Sequence, residues 1–329
     1  MIPRKSITVK EGGVRLDAAL LSYIPTTTRA FVREAAERGA ILVNGRPAVK
    51  GLKLRGGETI EVVELLEASD NLVKPNPSIH PRIVFEDDAI LGCDKPAGLP
   101  VQPLSCTETE TLMNGVAARY PECIPLGDRP LMAGALHRID ADTSGLVLVA
   151  RTKEAFEAVR TQFSSQTVKK TYLALVEGSV ATGATLENDL VHDPTVPFCR
   201  MVDIHDRRIT SRLGPRATKP HGDSPPTPHG DSPLRPLHAV TRFVPIGHTT
   251  VENEERTLLE VTIFTGVTHQ IRAQLAMAGM HIVNDRLYGA FAVENQTGHC
   301  LHSLAAAFKH PLTGDPVEIR TPYPPWARL

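Results

Sequence analysis

The run His137-Arg138-Ile139-Asp140-Ala141-Asp142-Thr143-Ser144-Gly145 leads straight into Leu146-Val147-Leu148-Val149-Ala150. The apolar segment has the length and β-branched content of a buried strand, so the charged stretch before it is predicted to be a loop delivered to one edge of a sheet. Loops on a rigid scaffold are where chemistry concentrates. This one carries Asp140, Asp142, Thr143, Ser144 and His137 close together in sequence. A carboxylate there can serve as nucleophile, general base or metal ligand. As a turn alone, Asp140 and Thr143 would only hydrogen-bond within the loop.

Residues 1–66 read as a separate module. Leu16, Ala19, Leu20 and Tyr23 fall at helical spacing before Pro25, and Thr28 can cap a second helix carrying Phe31, Val32, Ala35 and Ala36 until Gly39 ends it. Ile41-Leu42-Val43 then meets the hairpin signal Asn44-Gly45, and Thr59-Ile60-Glu61-Val62 supplies a later strand. Arg29, Arg33, Lys50 and Lys53 stand among basic residues that outnumber the nearby acids, a pattern suited to gripping phosphates. Arg29 and Arg33 share one helical face and repel each other, and a shared anion relieves that repulsion.

Residues 67–82 are polar and proline-rich, the composition of a linker, and the main domain occupies 83–329. Within it, residues 205–237 hold His221-Gly222-Asp223-Ser224-Pro225 and again His229-Gly230-Asp231-Ser232-Pro233, with nothing apolar to bury; this reads as a flexible insertion. Thr152 is expected to cap a helix with Phe156, Val159 and Phe163 on one stripe. In the strand-like run from Lys170 to Val176, alternation puts Tyr172, Ala174 and Val176 on one face. Thr268 is expected to cap a helix in which Ile271 and Leu275 face inward, His269 and Arg272 line an adjoining face and Gly279 ends the run. Arg272 then sits in the first turns, where a cation opposes the helix dipole. A residue placed against local preference points to a job elsewhere.

Composition excludes some classes. No run of about 18 apolar residues is present, so a spanning helix is not expected, and no apolar segment follows the basic start as a secretory signal would require. The expected compartment is the cytoplasm. Five cysteines are scattered without a Cys-x-x-Cys pair, which argues for reduced thiols and against a zinc site. A net charge of −1 gives no overall basic field. Nucleic-acid binding needs only one basic face.

The Asp140 loop resembles the signature His-Arg-Leu-Asp-x-x-Thr-Ser-Gly of the RluA-type pseudouridine synthases, with Ile139 in place of Leu. Asp94-Lys95-Pro96-Ala97-Gly98-Leu99-Pro100-Val101 is similar to that family's second signature, with Gln102 where a His is usual. Lys170-Thr171-Tyr172-Leu173-Ala174 is similar to the third. Thr265-Gly266-Val267-Thr268-His269-Gln270-Ile271-Arg272 matches another, with Val267 replacing an Arg and, further on, Gln274 replacing a His. The closing pattern runs through Asn284-Asp285-Arg286-Leu287-Tyr288-Gly289. The helix-helix-hairpin module resembles the S4 RNA-binding domain, through Arg15-Leu16-Asp17, Val43-Asn44-Gly45 and Gly56-Gly57-Glu58.

The resemblance implies an α+β protein: a pseudouridine synthase fold with a mixed, mainly antiparallel sheet and peripheral helices, plus a small α+β S4-like domain at 1–66. It implies conversion of uridine to pseudouridine in structured RNA, ribosomal RNA first and transfer RNA second, by a monomer with no cofactor, no metal and no membrane association. It makes Asp140 catalytic, as nucleophile or base, with Arg272 holding it ionised through a bidentate fork and Tyr172 stacking on the target base. His137, Arg138, Thr143, Lys170 and His269 are the expected substrate-binding set; Arg29, Arg33, Lys50 and Lys53 are the expected RNA-binding set. Two alternatives remain: a non-catalytic S4-type RNA-binding or ribosome-assembly protein, and an aspartate-nucleophile phosphohydrolase. The second suits the sequence poorly, because its Asp-x-Asp follows a strand and here the strand follows the motif.

Overall fold

The structure, a computed structural model, describes residues 2–10, 12–49, 51–193, 200–206, 236–251, 254–290 and 296–328. Lys50 and Cys199 lie outside the described residues, as does the expected insertion except at its margins, both copies of its repeat included. Among the described residues no helix is long and apolar enough to cross a membrane. The four described cysteines, Cys93, Cys106, Cys123 and Cys300, are buried free thiols.

The chain divides into two compact units. The first comprises Met1–Lys74 with Pro103–Thr109 and Asp128–Met132. Its elements are β1 (Lys5–Thr8), α1 (Leu16–Tyr23), α2 (Arg29–Glu37), β2 (Ile41–Val43), β3 (Arg46–Pro47) and β4 (Thr59–Val62), the strands ordered β1-β4-β2-β3. Thr28 caps α2 as expected, its hydroxyl accepting the Phe31 N–H at 3.3 Å. The helix buries Phe31, Val32 and Ala35 and leaves Arg29 and Arg33 exposed, as is Lys53. Asn44 (φ 50°) and Gly45 (φ 75°) turn β2 into β3, the left-handed pair that a two-residue hairpin needs.

The second unit holds β5 (Arg82–Glu86), β6 (Ile90–Lys95), α3 (Leu112–Arg119), β7 (Ser144–Ala150), α4 (Lys153–Ser164), β8 (Lys169–Glu177), β9 (Ala184–His192), β10 (Met201–Asp203), β11 (Leu237–Val251), β12 (Glu254–Ile263), α5 (Gln270–Met277), β13 (Leu301–Lys309) and β14 (Pro316–Arg320). The sheet runs β10-β9-β11-β12-β8-β13-β7-β6-β5, with β14 beside β13. Every pairing is antiparallel except β13 with β7. This is the mixed, mainly antiparallel α+β sheet that the sequence implies. From Gly145 to Ala150 every residue of β7 is buried, which explains its unbroken apolar run.

The core lies where β8, β12 and β13 meet α5: Leu173, Ala174, Val176, Leu259, Val261, Leu275 and Leu304 are sealed from solvent. Each such Leu or Val contributes about 1.5–3 kcal/mol by leaving water. Thr152 caps α4 as expected, accepting the Ala155 N–H at 3.2 Å.

The start of α5 departs from expectation. His269, not Thr268, is the N-cap residue, in a left-handed conformation (φ 52°, ψ 19°), and no side chain at that position caps the helix. Gln270 ties down the loop that precedes the helix: its Oε1 accepts the Val267 N–H at 3.2 Å and the Thr265 hydroxyl at 2.8 Å. Gln274 bolts the helix to the sheet, accepting from the Thr241 hydroxyl (2.7 Å) and donating to Asn188 Oδ1 and the Ala239 carbonyl (both 3.0 Å). Val267 packs against the cluster of Leu190, Met201, Ala239, Ala273 and Tyr288. Val267 and Gln274, two of the departures from the family pattern, therefore have structural roles in this chain.

Candidate active site

Two sequence-distant segments meet at Asp140. Its Oδ2 accepts a hydrogen bond from Arg272 Nη1 at 2.8 Å. Arg272 also donates through Nε to Asp285 Oδ2 (2.7 Å) and through Nη2 to Asp285 Oδ1 (2.8 Å). The bidentate fork thus goes to Asp285, and Asp140 receives the remaining nitrogen, a correction to the expected geometry. Side-chain exposure orders the three groups: 1% for Asp285, 8% for Arg272 and 29% for Asp140. The sealed carboxylate anchors the cation, and the cation presents itself to the open carboxylate.

Burial works against ionisation of Asp140, but the charges of His269 and Arg272, the Arg272 hydrogen bond and His299 outweigh it and hold the carboxyl below its ordinary value. Burial in turn pushes His269 below its own ordinary value, and His299 down to about 4. Both imidazoles are therefore neutral at pH 7, and the lasting positive charge beside Asp140 is Arg272. Burial also opposes the guanidinium charge, yet Asp285 and Asp140 together raise the pKa of Arg272.

The loop is pinned from several directions. Lys95, with no exposed surface, donates to the carbonyls of Pro96 (2.9 Å), Leu99 (2.6 Å) and Ala141 (2.7 Å). The Gly98 N–H also reaches the Ala141 carbonyl at 2.9 Å, so the Asp-Lys-Pro-x-Gly stretch is a buckle on the Asp140 loop. Thr143 Oγ1 lies 2.7 Å from His299 Nε2, and Ser144 Oγ lies 2.8 Å from His302 Nδ1. The Asp140 carbonyl accepts the Thr143 N–H at 3.1 Å, the turn bond that the loop chemistry predicts.

Tyr172 lies opposite Ser303 on β13, and Ser303 lies opposite Gly145 on β7. At the usual strand spacing this puts the tyrosine about 10 Å from the root of the Asp140 loop. The ring is 7% exposed. Burial raises the phenol to about 12, with a hydrogen bond to the Ser303 side chain opposing and the Asp140 charge adding to the rise, so it is neutral at pH 7.

The expected binding residues separate into two groups. His269 lies beside Asp140, its Nε2 3.7 Å from Asp140 Oδ2, while Arg138, next to Asp140 in sequence, is exposed. His137, Thr143 and Lys170 have their polar atoms taken up inside the protein. His137 Nε2 accepts the Leu148 N–H at 3.1 Å, its ring lies against Phe163, and burial lowers its pKa to about 3. Lys170 donates to the Thr265 carbonyl at 2.6 Å, and burial lowers it to about 8.

Four residues close to the site carried no functional reading: Asp285, Tyr288, His299 and Lys95. For Asp285 the available signal was a carboxylate two residues beyond the buried Ile282-Val283 pair. Among the described residues no group of three or more His, Cys, Asp or Glu side chains is arranged to hold a metal ion.

A family model described as RNA pseudouridylate synthase matches residues 89–277. The chain is 31% identical over 326 residues to ribosomal large subunit pseudouridine synthase D of Xanthomonas campestris pv. campestris, spanning 95% of this chain and 86% of that protein. It is 29% identical over 332 residues to the protein of the same name from Neisseria meningitidis, spanning 97% and 78%. The solved structure of human RNA pseudouridylate synthase domain containing 1 superposes with a TM-score of 0.56 at 21% identity, covering 77% of this chain and 87% of that one, a likeness of fold.

Proposed function

The chain belongs to the RNA pseudouridylate synthase family, and from that membership we propose that it isomerises chosen uridines of large-subunit ribosomal RNA at Asp140. The names of the relatives support the RNA. The observation that carries the site is the 2.8 Å pair between a solvent-reachable Asp140 and an Arg272 locked from behind by Asp285.

The reaction breaks the bond between C1′ and N1 of uridine, turns the freed uracil, joins C1′ to C5, releases the C5 proton and leaves N1 carrying a proton in its place. Atoms and electrons balance within the nucleotide. Asp140 acts on the ribose, as nucleophile or as base, and either role needs the ionised carboxylate that Arg272 maintains. The target must leave its stack first, at a cost of a few kcal/mol. Tyr172 forms one wall of the base site, and stacking of this kind returns about 1–3 kcal/mol. Arg138 grips a phosphate or fills the space the base vacates. His137, Thr143 and Lys170 hold the scaffold in register, through the internal bonds described above.

The first unit, with Arg29, Arg33 and Lys53 exposed on it, serves as an S4-like clamp on the RNA backbone. Contacts of that kind position RNA without reading sequence.

Asp140→Asn keeps the side-chain shape and removes the charge. Its release of tritium from RNA labelled at C5 of uridine is expected to fall by about 10²–10⁴-fold or more, with RNA affinity retained. Undiminished release overturns the assignment, and an RNA-binding assembly factor would release no tritium in either form.

A further inference from the structure

Tyr288 is 5% exposed and sits at the centre of the site without touching Asp140 directly. The guanidinium carbon of Arg272 lies 5.2 Å from its ring centroid, and the His269 ring meets it edge-on, 5.8 Å between centroids at 82°. Its hydroxyl faces two nitrogens: it accepts the Met201 backbone N–H at 2.8 Å and lies 3.2 Å from His269 Nδ1. A phenol has one proton to give. Among the described residues that proton meets no acceptor other than Nδ1. Nδ1 is then the acceptor of the imidazole, and the ring's own proton must sit on Nε2.

Nε2 is the nitrogen 3.7 Å from Asp140 Oδ2, too far for a hydrogen bond and close enough for an oxygen of a bound nucleotide to be shared between them. The backbone of His269 is itself strained, at φ 52°, in the left-handed region that side chains other than glycine avoid. Strain of this kind persists where surrounding structure imposes it, and it clusters at functional sites. Here it aims the imidazole into the site.

We propose that Tyr288 is a positioning residue whose hydroxyl fixes His269 as the Nε2–H tautomer, so that a neutral donor stands beside Asp140 for an oxygen of the target uridine. This rests on Asp140 being the reacting carboxylate. With the opposite tautomer, a lone pair on Nε2 would face the carboxylate and repel the same oxygen.

The test is a long-range proton–nitrogen correlation spectrum of the full chain labelled with ¹⁵N-histidine, with His269 assigned by its disappearance in His269→Gln. The expected pattern has the proton on Nε2. In Tyr288→Phe, which keeps the ring, the pattern is expected to become mixed or reversed, and kcat on RNA to fall about tenfold, the loss of roughly one hydrogen bond, with KM little changed.

A wild-type His269 protonated on Nδ1 overturns the proposal. So does Tyr288→Phe with an unaltered tautomer, whether or not its kcat falls. If that variant does not fold, the wild-type spectrum decides alone. Full turnover by Asp140→Asn would sink the assignment of the reacting carboxylate, and the tautomer measurement would stand apart from it.

Discussion

Arg272 divides its donors unequally, and the division matters more than the pair with Asp140 alone. Two of its nitrogens are committed to the sealed Asp285, so the guanidinium cannot swing away when Asp140 changes charge or binds substrate. Asp285→Asn leaves that buried cation half-compensated. Breaking a buried pair in this way costs about 3–5 kcal/mol, and urea unfolding is expected to show a loss of that order.

The same electrostatics set a pH dependence. A carboxyl whose folded pKa is depressed contributes stability that is present above its unfolded value and lost as pH falls through the folded one. Asp140 is such a group. The acid limb of kcat/KM for tritium release should therefore lie below the ordinary carboxylate range, and in Arg272→Gln it should move upward.

Asp140 and Arg272 were legible in the sequence because each sits in a dense motif, and Arg272 stands against the helix dipole. The fork to Asp285 was not, because an ion pair closed across a turn leaves no periodic trace. Tyr288 was hidden for the same reason: nothing in Arg286-Leu287-Tyr288 marks which side chain points toward His269.

At the scale of elements, the site depends on three strands in register, with Gly145 of β7 beside Ser303 of β13 and Ser303 beside Tyr172 of β8. Gly145 has φ 104°, and a Cβ there would stand 2.2 Å from the Ser303 carbonyl oxygen. No rotamer change relieves a clash between two backbones. Gly145→Ala is expected to destabilise the protein by about 3 kcal/mol or more in thermal or urea melts, with turnover lost as the loop root shifts.

The strands themselves were readable, β7 from its apolar run and β8 from its alternation. The caps of α2 and α4 were readable from Thr28 and Thr152. The start of α5 differs because propensity favours Thr268 as the cap, whereas His269 holds the N-cap position in a left-handed conformation without a side-chain cap, and Gln270 ties the preceding loop by accepting the Val267 N–H. Such a local exception is invisible to a rule built on averages.

At the scale of the whole molecule, a net charge of −1 leaves room for a local cluster of cations. Arg29 and Arg33 are one turn apart on α2, both exposed. Arg29→Ala with Arg33→Ala should raise KM for long RNA and shallow the slope of log affinity against log salt by about one unit for each phosphate contact removed. A measurement of binding across salt concentrations checks it, and an unchanged slope would mean that this face does not touch the backbone.

The α+β class and its mainly antiparallel sheet followed from the motifs. The place of β13 did not, since its sequence gives no sign that it slots between β7 and β8 in the middle of the sheet. That insertion has a consequence for how the protein comes to life. β13 spans Leu301–Lys309, so until those residues have left the ribosome the strands bearing the Asp140 loop and Tyr172 have no common neighbour. Closing such distant segments is slow and comes late in folding. A product truncated before β13 is expected to show no turnover, since those two strands then lack the neighbour that aligns them.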